Sequence, residues 1–150
     1  MEWPWKNLGR LIRKQDEARL LEAIRRAEQG SRGEVIVHVE RHCEGGDALA
    51  RAATLFQTLG MQRTAADTGV LLYVAVKDRK AAVYAGPGIH GAAEPGFWQT
   101  VVDAVAAGCR RGELVSGVES ALEHLGGLLR TAVPGEDLAG NELPNRVSQA

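Results

Sequence analysis

Three polar clusters in this 150-residue chain carry residue types suited to cation or acid/base chemistry: Ser31-Arg32-Gly33-Glu34, Asp67-Thr68-Gly69, and Gly86-Pro87-Gly88-Ile89-His90-Gly91. Two carboxylates offer the oxygen ligands that a hard divalent cation takes. An imidazole beside them can serve as general acid or base toward an oxyanion, and the glycines let backbone approach closely. Glu34, Asp67 and His90 are therefore the candidate catalytic residues, with Glu34 and Asp67 as metal ligands. The competing reading is that both acids only accept turn and strand-end hydrogen bonds from backbone N–H groups.

A second collection comprises Arg41-His42-Cys43-Glu44, Asp47 and Asp78-Arg79. It competes because ligands of open α/β sheets sit beyond the carboxyl ends of the strands. Three successive residues such as His42, Cys43 and Glu44 diverge at a strand end unless the loop curls. No Cys-x-x-Cys or His-x-x-x-His pair supports a metal there, so a solvated turn is the simpler account. His38 shares a strand face with Glu34, Ile36 and Glu40, and reads as hydrogen-bonded structure rather than a ligand.

Other chemistries lack their residues. Gly86 to Gly91 formally fits G-x-G-x-x-G, yet it follows the returning arm of a hairpin, Pro87 has no N–H for a phosphate, and no helix is expected to open at Gly91. No Gly-x-x-x-x-Gly-Lys loop occurs. Neither Cys43 nor Cys109 has an arginine six positions on, which argues against a cysteine phosphatase, and no Gly-x-Ser-x-Gly elbow occurs.

Whether the three clusters can meet depends on the strands that carry them. From Asp16 to Gln29, Leu20, Leu21, Ile24 and Ala27 recur at helical steps, and Gly30 follows as a stop. Glu34–Glu40 is nearly continuous in apolar character, as in an interior strand. Asp47 can cap a second helix whose stripe is Leu49, Ala52, Ala53, Phe56 and Leu59. Val70 to Val76 is another two-sided run; Lys77 to Lys80 is a charged turn, and Ala81 to Ala85 returns as the second arm of a hairpin. Pro95 suits the first turn of a third helix, with Phe97, Trp98, Val101, Val102, Val105 and Cys109 inward. A fourth helix after Gly112 carries Leu114, Val115, Val118, Leu122, Leu125 and Leu129. Its Gly117, Gly126 and Gly127 each forfeit roughly 1 kcal/mol of helix propensity, for which close helix packing is a reason.

The expected fold is an α/β domain of about three strands and four helices, with the first two strands parallel through a right-handed crossover and the third antiparallel. In that arrangement the starts of the first two strands and the end of the third share one sheet edge. Glu34, Asp67 and the Gly86–His90 loop then converge.

Composition sets the outer bounds. At 45% hydrophobic, 25% charged and 5% aromatic, the chain reads as one globular domain. A formal charge of −1 argues against nonspecific nucleic-acid binding. No window approaches the roughly 18 apolar residues of a transmembrane helix. With no secretory signal and two cysteines, a cytoplasmic chain with reduced thiols is expected. Residues 1–14 alternate Trp3, Trp5, Leu8, Leu11 and Ile12 with Lys6, Arg10, Arg13 and Lys14. This segment either packs its tryptophans on the domain or meets a protein partner or an anionic membrane surface peripherally. The domain proper is expected over 15–133, with a tail over 134–150.

Several segments together resemble one family, the TPM domain. They are Ala27-Glu-Gln-Gly-Ser-Arg-Gly-Glu34 before a valine-rich strand, Leu59-Gly-Met-Gln-Arg-Thr-Ala65, Asp67-Thr-Gly-Val-Leu-Leu-Tyr-Val-Ala75 with Lys77-Asp-Arg79, Gly86-Pro-Gly-Ile-His90, Phe97-Trp98, and Asn141-Glu-Leu-Pro-Asn145. The resemblance runs from about Asp16 to Asn145. It implies a three-layer α/β/α sandwich around a short mixed sheet and, for some members, calcium binding and an acid phosphatase activity on phosphomonoesters. By position it makes Glu34 and Asp67 the acids, Asp78 and Arg79 the hairpin pair, and Gly86, Gly88 and His90 part of the glycine loop. Gly91 and Gly140 stand where related sequences often have acids.

Overall fold

The computed structural model describes residues 12–63, 68–135 and 147–149. Helix α1 (Lys14–Glu28) starts two residues before the apolar periodicity does, with Asp16 and Glu17 in its first turn and Arg25 and Arg26 in its last, the signs its dipole favours. Its buried face is Leu20, Ala23, Ile24 and Ala27. Leu21, expected inward, is exposed.

Strand β1 (Glu34–Glu40) is buried along its whole length. Helix α2 (Ala48–Thr58) begins where the Asp47 carboxylate accepts the Ala50 N–H at 3.1 Å. It buries Ala52, Leu55 and Phe56, whereas Leu49, expected inward, is 56% exposed although Ala48 before it packs on the core. A 3-10 turn (Met61–Arg63) follows. Then come β2 (Gly69–Ala75), β3 (Lys80–Ala85), α3 (Pro87–His90), α4 (Phe97–Arg110), α5 (Leu114–Ala132) and β4 (Val147–Gln149).

The sheet order is β3-β2-β1-β4. β1 pairs parallel with β2 from Glu34↔Gly69 to Glu40↔Ala75, and β3 returns antiparallel from Ala75↔Lys80 to Val70↔Ala85. The crossover and the hairpin are thus as the sequence indicates. The fourth strand is a correction: β4, inside the expected tail, adds in parallel to the free side of β1 with Val37 opposite Val147. That pairing explains why β1 reads as an interior strand.

Side-chain alternation divides the core in two. Val35, Val37, Val39, Val70, Leu72 and Val74 face α1, α4 and α5. Ile36, Leu71, Tyr73 and Ala75 face α2, with Phe56 and Met61 among their neighbours. The result is a three-layer α/β/α sandwich around a mixed sheet.

Two expectations about α4 need correction. Pro95 lies ahead of the helix, in a turn closed by the Phe97 N–H on the Glu94 carbonyl at 3.0 Å; Gly96, at φ 83, is the cap. Of the six residues expected inward only Val101 and Val105 are fully buried, joined by Gly108, while Phe97, Trp98, Val102 and Cys109 are half-buried. Gly108 is buried where α4 crosses α5. A Cβ on Gly108 would lie 2.5 Å from the Gly117 Cα, so these two glycines bring the helix backbones together. Gly126 approaches Ala27 of α1 in the same manner, and Gly127 faces open space.

Candidate functional site

The parallel start of β1 and β2, with β3 ending beside them, forms one continuous edge. The Glu34 N–H donates to the Thr68 carbonyl at 3.1 Å, and the Gly86 N–H donates to the Gly69 carbonyl at 3.0 Å. The Glu34, Thr68-Gly69 and Gly86 segments are therefore neighbours across successive strands. Asp67 itself lies outside the described residues.

The chain leading into Glu34 is held from several directions. Ser31 Oγ donates to the Glu28 carbonyl at 2.9 Å and accepts the Gly33 N–H at 3.1 Å. The Glu28 carboxylate accepts the Val35 N–H at 2.7 Å. The Arg32 N–H reaches the Val133 carbonyl at 2.8 Å, which ties this turn to the end of α5. At Gly33 a Cβ would fall 2.6 Å from Leu129 Cδ2, so α5 runs directly against the turn. Glu34 is 1% exposed and Thr68 is buried with it.

The glycine loop is more ordered than its sequence suggests. Instead of an irregular loop, one helical turn opens at Pro87, where the missing N–H is no loss. The His90 N–H donates to the Gly86 carbonyl at 2.9 Å, and Ile89 is fully buried as the anchor. Gly88 is exposed on this turn. The His90 ring stacks on Trp98 of α4 with centroids 5.9 Å apart and planes 23° apart, while Trp98 meets Phe97 edge-on.

The edge brings these backbones together and sends the side chains to different sides. Strand alternation puts the Glu34 carboxylate on the α2 side with Ile36, whereas Ile89 and Trp98, the neighbours of His90, belong to the opposite core. Oxygen donors dominate at the Glu34 end, and both cysteines lie elsewhere, Cys43 after β1 and Cys109 in α4. That donor chemistry fits a hard cation rather than a thiophilic metal. Among the described residues no three His, Cys, Asp or Glu side chains are grouped as metal ligands.

The opposite edge holds a polar network that reasoning from the sequence missed in part. The Glu40 carboxylate accepts from Arg51 Nε and Nη2, both at 3.0 Å, and from the Tyr73 hydroxyl, with His38 Nε2 at 3.3 Å. Burial pushes the Glu40 carboxyl up, but hydrogen bonds from His38, Arg51 and Tyr73 outweigh it and bring it from 4.5 to about 2. The Tyr73 hydroxyl is raised by burial and by its bond to Glu40. The His38 and Tyr73 rings stack 6.0 Å apart. His38 is thus hydrogen-bonded structure, as expected.

Asp78 accepts from the Cys43 N–H at 2.6 Å and pairs with His42 Nδ1 at 2.9 Å; His42 and then the Cys43 amide lower its carboxyl. Glu44 is exposed and 3.9 Å from Arg51. The lone pairs of Glu40 are engaged by protein donors, so this corner fastens the hairpin and α2 to the end of β1. A carboxylate ending a two-sided apolar strand was the available signal that a cation such as Arg51 had to meet it.

At the amino end, residues 1–11 lie outside the described residues. Ile12 is buried in the larger core and Arg13 Nε binds Asp16 at 3.2 Å, so the described end of the basic segment packs on the domain. No helix among the described residues is long and apolar enough to cross a membrane.

A sandwich with this edge defines a class that comparison with known proteins makes specific. The sequence profile of the TPM domain matches residues 7–128, and the chain belongs to that family. It is similar to the BA42 protein of the psychrophilic bacterium Bizionia argentinensis, whose NMR structure is 32% identical, with a TM-score of 0.81 over 93% of this chain and 95% of that one. Two further solution structures share the fold. The N-terminal domain of cg2496 from Corynebacterium glutamicum is 12% identical, with a TM-score of 0.63 over 89% of this chain and 84% of that one. The N-terminal domain of a P. gingivalis protein is 15% identical, with a TM-score of 0.69 over 82% and 79%. No curated protein matches the chain significantly.

Proposed function

We propose that this TPM domain binds a divalent cation, calcium in the first instance, at the edge where β1 and β2 begin, and that it hydrolyses phosphomonoesters weakly there. The observation that supports this reading is the backbone ladder joining Glu34, Thr68-Gly69 and Gly86. It seats a buried carboxylate beside the segment that follows Asp67.

Glu34 and Asp67 would hold the cation. A bound divalent cation polarises phosphoryl oxygens and favours an activated water. Glu34 is 1% exposed, so its side chain has little rotamer freedom left to lose on binding. His90 is exposed, with its ring plane set by Trp98, and is the proton donor for a leaving-group oxygen. Because Glu34 and His90 leave on different sides of the sheet, the phosphoryl group must sit across the strand ends. Gly86 and Gly88, with no side chains, leave room there.

Calorimetry with calcium, together with p-nitrophenyl phosphate hydrolysis with and without the ion, tests the reading on the wild type, Asp67→Asn and His90→Ala. We expect Asp67→Asn to weaken calcium at least tenfold. His90→Ala should keep calcium affinity and lower only turnover. Equal calcium affinity in wild type and Asp67→Asn would overturn the site, and calcium-independent hydrolysis would overturn the activity.

A further inference from the structure

The turn between β2 and β3 sends Asp78 and Arg79 to different sides of the sheet. Asp78 joins His42 and Cys43 at the α2 corner. Arg79 faces α4, where its charge opposes the rise that burial imposes on the Cys109 thiol. Arg79 also has φ 55, in the left-handed region that glycine enters without steric penalty. A turn needing only the bend would carry glycine there, and an arginine held against that preference points to use of its side chain.

Below Arg79, α4 and the hairpin border a cleft of about 520 Å³, within the range of small-molecule sites, roughly 300–1,000 Å³. Val102 and Val105 form one wall, Val74 and Ala81 the other. Arg79, Lys80 and Arg110 line the same cleft and no carboxylate does. Among the described residues neither Arg79 nor Arg110 has an acidic partner, and the Lys80 ammonium binds the Gly46 carbonyl. Lys80 thus spends its charge on the α2 side, and the two guanidinium groups, with no acid on the lining, select an anion and pair with it through forked hydrogen bonds. Val102, Ala81 and Ala106, half-exposed over the buried Val74 and Val105, reward an apolar body on the same molecule.

We propose that this cleft binds a small organic anion in which one anionic head is joined to an aliphatic body, the head between Arg79 and Arg110 and the body against Val102 and Val105. The cleft lies at the end of β2 opposite Gly69, so the inference is independent of the cation reading.

The test is a titration of the full chain with octanoate, followed by methyl and amide chemical shifts. Octanol supplies the body without the charge, and acetate supplies the head without the body. We expect saturable octanoate shifts at Val74, Val102 and Val105, binding at least tenfold weaker for octanol, and no saturation with acetate at equal concentration. The double variant Arg79→Gln/Arg110→Gln should weaken octanoate at least tenfold and leave octanol unchanged. Ala106→Trp, which fills the cleft, should abolish both. Both arginines are exposed, so the double variant carries the test if Ala106→Trp fails to fold. Unchanged octanoate affinity in the double variant, equal affinity for octanol, or shifts that never saturate would each overturn the proposal.

Discussion

Gly117 and Gly127 occupy the interior of the same helix, and alanine at each should move stability in opposite directions. Intrinsic propensity favours alanine by about 1 kcal/mol at either site. At Gly127 a Cβ meets nothing within 4 Å, so Gly127→Ala should stabilise the domain by about that amount. At Gly117 the new carbon would lie 2.9 Å from both the Gly108 Cα and the Val105 carbonyl oxygen, and 3.1 Å from the Ala104 carbonyl oxygen. Carbon atoms in contact sit at about 3.5–4.0 Å, so α4 and α5 must separate by roughly half an ångström or more. The obstructing atoms are backbone and cannot rotate aside. Overpacking of this kind costs about 1–3 kcal/mol, and the rigid crossing puts Gly117→Ala toward the upper end. After the propensity gain, Gly117→Ala should be about 1–2 kcal/mol less stable than wild type, some 2–3 kcal/mol below Gly127→Ala. Urea unfolding followed by circular dichroism reads both, with an unchanged denaturant slope as the check that the two transitions are comparable. If Gly117→Ala were as stable as Gly127→Ala, the tight α4–α5 crossing would be wrong.

Two further perturbations probe the edge opposite Glu34. The Glu40 carboxyl is depressed from 4.5 to about 2, so its contribution is complete above its unfolded value and is lost as pH falls toward 2; the shift corresponds to at most about 3 kcal/mol. Glu40→Gln should therefore lose stability at about pH 6 and show a shallower decline than wild type between about pH 4.5 and pH 2; parallel curves in urea unfolding would contradict the network. Arg79→Gly relieves a left-handed φ and should raise the unfolding free energy by about 0.5–1 kcal/mol in the same assay; a loss of stability would show that the arginine side chain holds the turn.

Much of the sandwich was legible because local signals and global pairing agree. β1 has the bounds its β-branched run sets, Asp47 caps where its type and position suggest, and a short charged turn leaves β3 no choice but to return beside β2. From these directions alone, the meeting of Glu34, Thr68-Gly69 and Gly86 at one edge could be read. What escaped depends on distant partners. Val147–Gln149 is only three residues long and becomes a strand because β1 has an unpaired side to offer. Pro95 suits a helix start as well as a turn, and Gly96 decides in favour of the turn. Arg51 and Tyr73 reach Glu40 from 11 and 33 residues away, separations at which no pattern in the sequence pairs them. The single helical turn after β3 depends on Ile89 finding the core, which no local pattern announces.

The most direct test of the central claim is an amide chemical-shift titration with calcium, with magnesium as comparison. The cation site at the start of β1 and β2 requires saturable calcium shifts concentrated at residues 31–34, 67–69 and 86–91, absent in Asp67→Ala. Shifts that fail to appear there at millimolar calcium, or that gather instead around Glu40, Glu44 and Asp78, would contradict it.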